Sequence, residues 1–172
     1  VGFGGRALDD PNPKYINPSA TSIFDKRNTL YALNFAIDKI RDQRTAVVVE
    51  GYMDAIAAHE HGYTNVVASM GTALTEQQVA QLRTLADKFI LALDPDAAGQ
   101  EATLRSLESS WRVIQGNAAQ QRQRSQSALS QWKTTDLRVA ALPEGLDPDA
   151  LIRLDASRWE GIVVDAAPPL EF

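Results

Sequence analysis

The fold of this chain is decided by a short apolar run, Ala46-Val47-Val48-Val49, which ends abruptly at Glu50-Gly51. Its continuous hydrophobicity and its β-branched side chains predict a strand that is buried on both faces. Similar runs follow at Asn65-Val66-Val67-Ala68, Lys88-Phe89-Ile90-Leu91-Ala92-Leu93 and residues 137–142. The sequence therefore predicts a sheet of about four buried strands.

Helical patterns separate these strands. The expected helices cover residues 26–42, 53–61, 75–87, 97–115, 148–154 and 157–165. The third of them begins with a capping box, in which Thr75 is the N-cap and Gln78 lies three residues later. Strands that alternate with helices are typical of an α/β fold with a mostly parallel sheet flanked by helices. The polar stretch 116–135 lacks apolar periodicity, and we interpret it as an insertion.

The composition excludes some classes of protein. The 172 residues are 44% hydrophobic and 23% charged, as in soluble globular proteins. No apolar run approaches the roughly 20 residues of a membrane helix, and no signal peptide opens the chain, so we expect a cytoplasmic protein without a membrane partner. The chain has no cysteine, which excludes disulfides and thiolate zinc sites from it.

Charge is unevenly distributed along the chain. Residues 1–44 carry seven Lys or Arg and five Asp, a net +2, and the total of −5 leaves −7 for the remainder. A mildly basic leading part before an acidic body hints at a polyanion bound through a local patch and through metal ions. Ordinary solvated faces explain the same charges equally well.

Acidic residues follow three of the predicted strands. Glu50 ends the first strand, Asp94 and Asp96 follow the third, and Asp147 and Asp149 follow the last. Ligands of open parallel α/β sheets bind beyond the carboxyl ends of the strands, so these carboxylates are expected at one edge. Like charges repel there, and a divalent cation removes the conflict. Two such ions, about 4 Å apart, support phosphoryl transfer. The residues alone leave the reaction open.

A resemblance to the bacterial replicative DNA primases is carried by two motifs, Val49-Glu50-Gly51-Tyr52-Met53-Asp54 and Val67-Ala68-Ser69-Met70-Gly71-Thr72-Ala73-Leu74-Thr75. Upstream, the similar stretches are Gly2-Phe3-Gly4-Gly5-Arg6, Pro13-Lys14-Tyr15-Ile16-Asn17 and Phe24-x-Lys26. Downstream, Leu142-Pro143-Glu144-Gly145-x-Asp147-Pro148-Asp149 resembles the third acidic motif of that family. Only residues 116–135 lack a counterpart.

The resemblance implies a Toprim fold in three segments. Residues 1–44 would be the end of the amino-terminal basic subdomain, 45–143 the Toprim domain with its insertion at 116–135, and 144–172 an acidic loop and the start of a helical subdomain. Since the family's zinc-binding and helicase-binding domains are missing, we expect a piece of a longer protein that primes poorly or not at all alone.

The implied activity is RNA primer synthesis by two-metal nucleotidyl transfer. Glu50, Asp94 and Asp96 would be catalytic. The metal site would hold two or more Mg²⁺ or Mn²⁺ ions, and no zinc, between Glu50, Asp54, Asp94, Asp96, Asp147 and Asp149. Nucleic-acid and nucleotide contacts would come from Arg6, Lys14, Tyr15, Asn17 and Lys26. Implied partners are a single-stranded DNA template, ribonucleoside triphosphates, the RNA primer and, through a domain absent from this chain, the replicative helicase in the bacterial nucleoid.

Three departures from the family pattern stand out. Pro95 occupies the position between the paired aspartates where Gly is usual, although type IA topoisomerases of the superfamily share Asp-Pro-Asp. Residues 17–21 lack the usual acidic residue, and Leu146 stands where Lys is usual. The alternatives to a primase are a Toprim topoisomerase or nuclease that cleaves DNA, and a non-catalytic Toprim binding module.

Overall fold

A parallel sheet lies at the centre of the part of the chain that the structure describes. This computed structural model describes residues 3–6, 15–16, 19–70, 74–93 and 136–169. The sheet of these residues has four strands: β3 (Thr45–Val49), β4 (Val66–Ala68), β5 (Lys88–Leu91) and β6 (Asp136–Val139). Their order is β4-β3-β5-β6, and every neighbouring pair is parallel. The predicted mostly parallel sheet is confirmed.

Helices precede, connect and follow these strands in the described residues. They are the 3₁₀ helix η1 (Lys26–Asn28), α1 (Leu33–Gln43), α2 (Tyr52–Glu60), α3 (Glu76–Arg83), α4 (Pro148–Leu154) and α5 (Ala156–Val164). A short antiparallel pair, β1 (Gly5–Arg6) and β2 (Tyr15–Ile16), lies outside the main sheet. In the described ranges, no helix is long and apolar enough to cross a membrane.

Alternate residues of each strand bury their side chains on opposite faces of the sheet. Val48 and Leu91 pack with α1 and α3, whereas Val47 and Ile90 pack with α2, α4 and α5. Trp159 of α5 is 1% exposed, so the carboxyl-terminal helices contribute to the second core cluster. Burial on both faces explains why the strands are continuous apolar runs rather than alternating ones.

One predicted helix begins in the wrong place. The apolar spacing predicted a helix over 26–42, but the structure has η1, then extended residues, and α1 only from Leu33. Tyr31 and Ala68 exchange two backbone hydrogen bonds of 2.9 and 3.1 Å, which requires an extended backbone at Tyr31. Ala32, with φ of 63°, then turns the chain into α1. A contact with a distant residue overrides the local periodicity.

Local signals give the other boundaries to within a few residues. The capping box at Thr75 is confirmed, because Thr75 accepts the Gln78 N–H and Gln78 accepts the Thr75 N–H. Its helix ends at Arg83 rather than near 87, and β5 and β6 end two and three residues earlier than predicted. The expected helix 97–115 and the insertion 116–135 lie outside the described residues.

Candidate functional site

In the turn from β3 into α2, a residue without a side chain lies next to the Asp54 carboxylate. Glu50 follows the strand, and Gly51 is the N-cap of α2 with an extended backbone, φ −98° and ψ 149°. A Cβ atom on Gly51 would lie 2.9 Å from Oδ2 of Asp54, closer than real contacts allow. Glycine therefore lets the Asp54 carboxylate fold back onto the start of its own helix.

Asp54 joins two acidic motifs that are far apart in the sequence. Its side chain is buried, with 7% of the residue exposed. Oδ2 accepts the Gly51 N–H at 3.0 Å, and Oδ1 accepts the Asp149 N–H at 3.1 Å. Both donors belong to the first turns of helices, α2 and α4, whose positive ends favour a carboxylate. The motif of Glu50 and Asp54 is thereby attached to the motif of Asp147 and Asp149.

The third acidic motif is built around the start of α4. Asp147 is its N-cap and accepts the Ala150 N–H at 2.7 Å. Asp149 lies one helical turn before Arg153 and accepts the Nε–H of Arg153 at 2.6 Å. Arg153 also lies 3.5 Å from Glu60 of α2. The hydrogen bond with Asp149 is the main reason that the pKa of Arg153 is raised.

Arg153 was not among the predicted site residues. The i, i+4 spacing of Asp149 and Arg153 is the sequence signal that would have found the pair. The ion pair between Arg153 and Glu60 has no such sequence signal, because the two residues belong to different helices.

The structure describes four of the six predicted metal ligands and joins two of them, Asp54 and Asp149, by a hydrogen bond. Glu50, Asp54, Asp147 and Asp149 are described, whereas Asp94 and Asp96, after β5, lie outside the described residues. Among the described side chains, no three acidic or histidine groups lie close enough together to hold a metal ion by themselves. Carboxylate oxygens nevertheless have the chemistry that Mg²⁺ and Mn²⁺ require.

The predicted nucleic-acid contacts fall in the leading part of the chain. Arg6 and Tyr15 are register partners in the β1–β2 pair, which places their backbones side by side. Lys26 begins η1. Lys14 and Asn17 lie outside the described residues.

Comparison with known proteins finds similarity to DNA primases. Residues 44–121 match the Toprim domain model, and residues 1–37 match the model for the N-terminal domain of the DNA primase catalytic core. A DNA primase of Clostridium acetobutylicum is 42% identical over 154 residues, which are 89% of this chain and 22% of that protein. These matches show that the chain is similar to the catalytic core of bacterial DNA primases. The resemblance on which the sequence prediction relied is confirmed.

Solved primase structures match the fold over almost the whole chain. The crystal structure of a DNA primase domain from Pseudomonas aeruginosa has a TM-score of 0.79 and 36% identity, and it covers 99% of this chain and 48% of that one. A primase catalytic domain bound to single-stranded DNA has a TM-score of 0.78 and 33% identity, with coverages of 97% and 49%. The chain thus spans about half of these primase cores and less than a quarter of the curated relative. The predicted Toprim-type α/β fold is confirmed.

Proposed function

We propose that this chain forms the nucleotidyl-transfer part of a primase, an RNA polymerase that makes short primers on single-stranded DNA. The observation that supports this function best is that the Asp54 carboxylate accepts one N–H from each of two acidic motifs. That arrangement keeps acidic residues at the carboxyl edge of the sheet, where a parallel α/β fold binds its ligands. The match to a primase domain over 99% of this chain supports primer synthesis among the reactions that such an edge could catalyse.

We propose a divalent-metal site formed by Glu50, Asp54, Asp94, Asp96, Asp147 and Asp149, holding two or more Mg²⁺ or Mn²⁺ ions, with Glu50, Asp94 and Asp96 as the catalytic residues. The described donors fit such ions because they are hard carboxylate oxygens. When bound, the ions supply activation of the attacking 3′-hydroxyl and stabilisation of the leaving pyrophosphate.

The chain's own residues position the reactants. Asp54 fixes the first turns of α2 and α4 relative to each other, and Arg153 holds the Asp149 carboxylate. Arg6, Lys14, Tyr15, Asn17 and Lys26 would bind phosphates of the template and of the incoming nucleotide. Phosphoryl transfer depends on such positioning and charge neutralisation, with no covalent nucleophile from the protein.

The wider assignments are also proposals. The segments 1–44, 45–143 and 144–172 would act as the end of the basic subdomain, the Toprim domain and the acidic loop with the start of a helical subdomain. Family models matching 1–37 and 44–121 support the first boundary. A single-stranded template is supported by a primase core solved with that ligand. Similarity to the primases is the only support for three further partners, namely ribonucleoside triphosphates, the RNA primer and the helicase. It is also the only support for a location in the bacterial nucleoid.

The test is incorporation of labelled ribonucleotides by the full-length protein on a single-stranded DNA template, with and without Mg²⁺. We expect RNA products that form only when both the template and the metal are present. Cleavage of the template without RNA synthesis would instead identify a Toprim nuclease or topoisomerase. Template binding with neither reaction would identify a binding module.

A further inference from the structure

Four consecutive backbone carbonyls of the basic segment 26–29 are bound by polar side chains of α3 and its N-cap. Gln78 donates through Nε2 to the Lys26 and Thr29 carbonyls, at 3.2 and 2.8 Å. The Thr75 hydroxyl donates to the Arg27 carbonyl at 2.6 Å, and Gln81 donates to the Asn28 carbonyl at 2.7 Å. Every carbonyl from Lys26 to Thr29 therefore has a fixed donor more than 40 positions away.

Gln78 is the central member of this contact. It is 0% exposed, and its Oε1 accepts the Thr75 N–H at 3.0 Å while both amide hydrogens have carbonyl acceptors. A buried amide that uses its oxygen and both of its N–H groups is held in one orientation. The capping box predicts the bond to Thr75, but nothing local predicts the bonds to Lys26 and Thr29.

Asp25, the N-cap of η1, holds the same segment through its own side chain. Its carboxylate accepts the Arg27 N–H at 2.9 Å and the Asn28 side-chain amide at 2.8 Å. In this segment Lys26 is half-buried and Arg27 is exposed. Within the described residues, neither of them takes part in an ion pair.

We propose that Gln78 is a positioning residue that preorganises Lys26 and Arg27 to bind backbone phosphates of single-stranded DNA. The sequence predicted Lys26 as a contact, and this geometry adds Arg27, which is exposed. A backbone that is already ordered loses little conformational entropy when the strand binds, so the same two cations bind more tightly. The inference rests on the proposed function, because it assumes that the template contacts this segment.

The test compares Gln78→Leu with Gln77→Leu in the same chain, using a labelled oligothymidylate at several salt concentrations. Gln77 is exposed on the same helix and serves as the matched control. We expect Gln78→Leu to weaken binding about fivefold, and to lower the magnitude of the salt slope by about 1 for each phosphate that the variant no longer binds. Gln77→Leu should change neither quantity.

A double-mutant cycle shows whether Gln78 acts through the cations. Lys26→Ala with Arg27→Ala should weaken binding, and adding Gln78→Leu to that pair should weaken it little further. Fully additive losses, or unchanged binding by Gln78→Leu, would overturn the inference while the proposed function stands. If Gln78→Leu does not fold, Gln81→Leu, which releases only the Asn28 carbonyl, should give a smaller loss of the same kind, and no loss would overturn the inference. Absence of DNA binding by the wild-type chain would overturn the proposed function and this inference together.

Discussion

The Asp54 carboxylate accepts a 3.1 Å hydrogen bond from the backbone N–H of Asp149, a residue 95 positions further along the chain. Its other oxygen accepts the Gly51 N–H. One buried side chain therefore sets the distance between the acidic motif after β3 and the acidic motif at the start of α4. The proposed metal site depends on this attachment as much as on the ligands themselves.

Replacing Asp54 by Ala should destabilise the chain even without metal. Two N–H groups lose a charged acceptor, and the expected loss in the free energy of unfolding is about 3 kcal/mol. Asp54→Asn keeps one acceptor oxygen and should lose less. Urea unfolding in the presence of EDTA measures both values. Asp42→Ala is the control, because Asp42 is exposed and pairs with Lys39 at 3.6 Å, which contributes at most about 1 kcal/mol. Equal losses at both positions would contradict the structural role of Asp54.

Gly51→Ala should lower the stability of the chain, whereas Gly161→Ala should raise it. The new Cβ would lie 2.9 Å from the Asp54 Oδ2 atom, so the carboxylate must move, at a cost of about 1–3 kcal/mol. Gly161 lies within α5, and a Cβ there meets no atom within 4 Å. Gly161→Ala should therefore stabilise the chain by about 0.8 kcal/mol through helix propensity. Thermal unfolding of the two variants should shift in opposite directions.

Local patterns predicted the elements well because the forces that form them are local. Continuous β-branched runs mark buried strands, and the capping box at Thr75 and Gln78 satisfies N–H groups of its own helix. The expectation that the acidic residues meet beyond the strands also used only local patterns, and it stays a prediction because Asp94 and Asp96 lie outside the described residues.

The contacts that matter most for the site are nonlocal. The bond from Asp149 to Asp54, the bonds from Gln78 to residues 26–29 and the pairing of Tyr31 with Ala68 each join distant segments. None of them leaves a periodic trace in the sequence. The pairing of Tyr31 is also the reason why the predicted helix 26–42 began too early.

Trp159→Ala should be among the most damaging single substitutions. Its side chain is fully buried in the cluster that contains Val47 and Ile90, so truncation leaves a cavity beneath α5. We expect a loss of about 3–5 kcal/mol in the free energy of unfolding. Leu154→Ala is the control, since Leu154 is 70% exposed and its truncation should change stability by less than about 0.5 kcal/mol. A small effect at Trp159 would show that α5 does not pack on the sheet.

Asp155 should contribute stability that disappears in acid. The Ser157 hydroxyl, followed by the Arg158 N–H, lowers the pKa of this carboxyl below its ordinary 3.8. A folded-state pKa below the unfolded one means that the contribution is complete above the unfolded pKa and is lost as the pH falls through the folded pKa. Asp155→Ala should therefore unfold at lower urea than the wild type at pH 6, with the difference shrinking below pH 3.8. A difference independent of pH would contradict this assignment.

The proposed metal site is tested most directly by the melting temperature of the 172-residue chain against Mn²⁺ or Mg²⁺ concentration, with Glu50→Gln as the variant and EDTA as the reference. A cation that binds only the folded state stabilises it by about 1.4 kcal/mol at ten times its dissociation constant. We expect the melting temperature of the wild type to rise with millimolar metal and that of Glu50→Gln to rise clearly less. A wild-type melting temperature unchanged by either ion would contradict a metal site at the acidic edge.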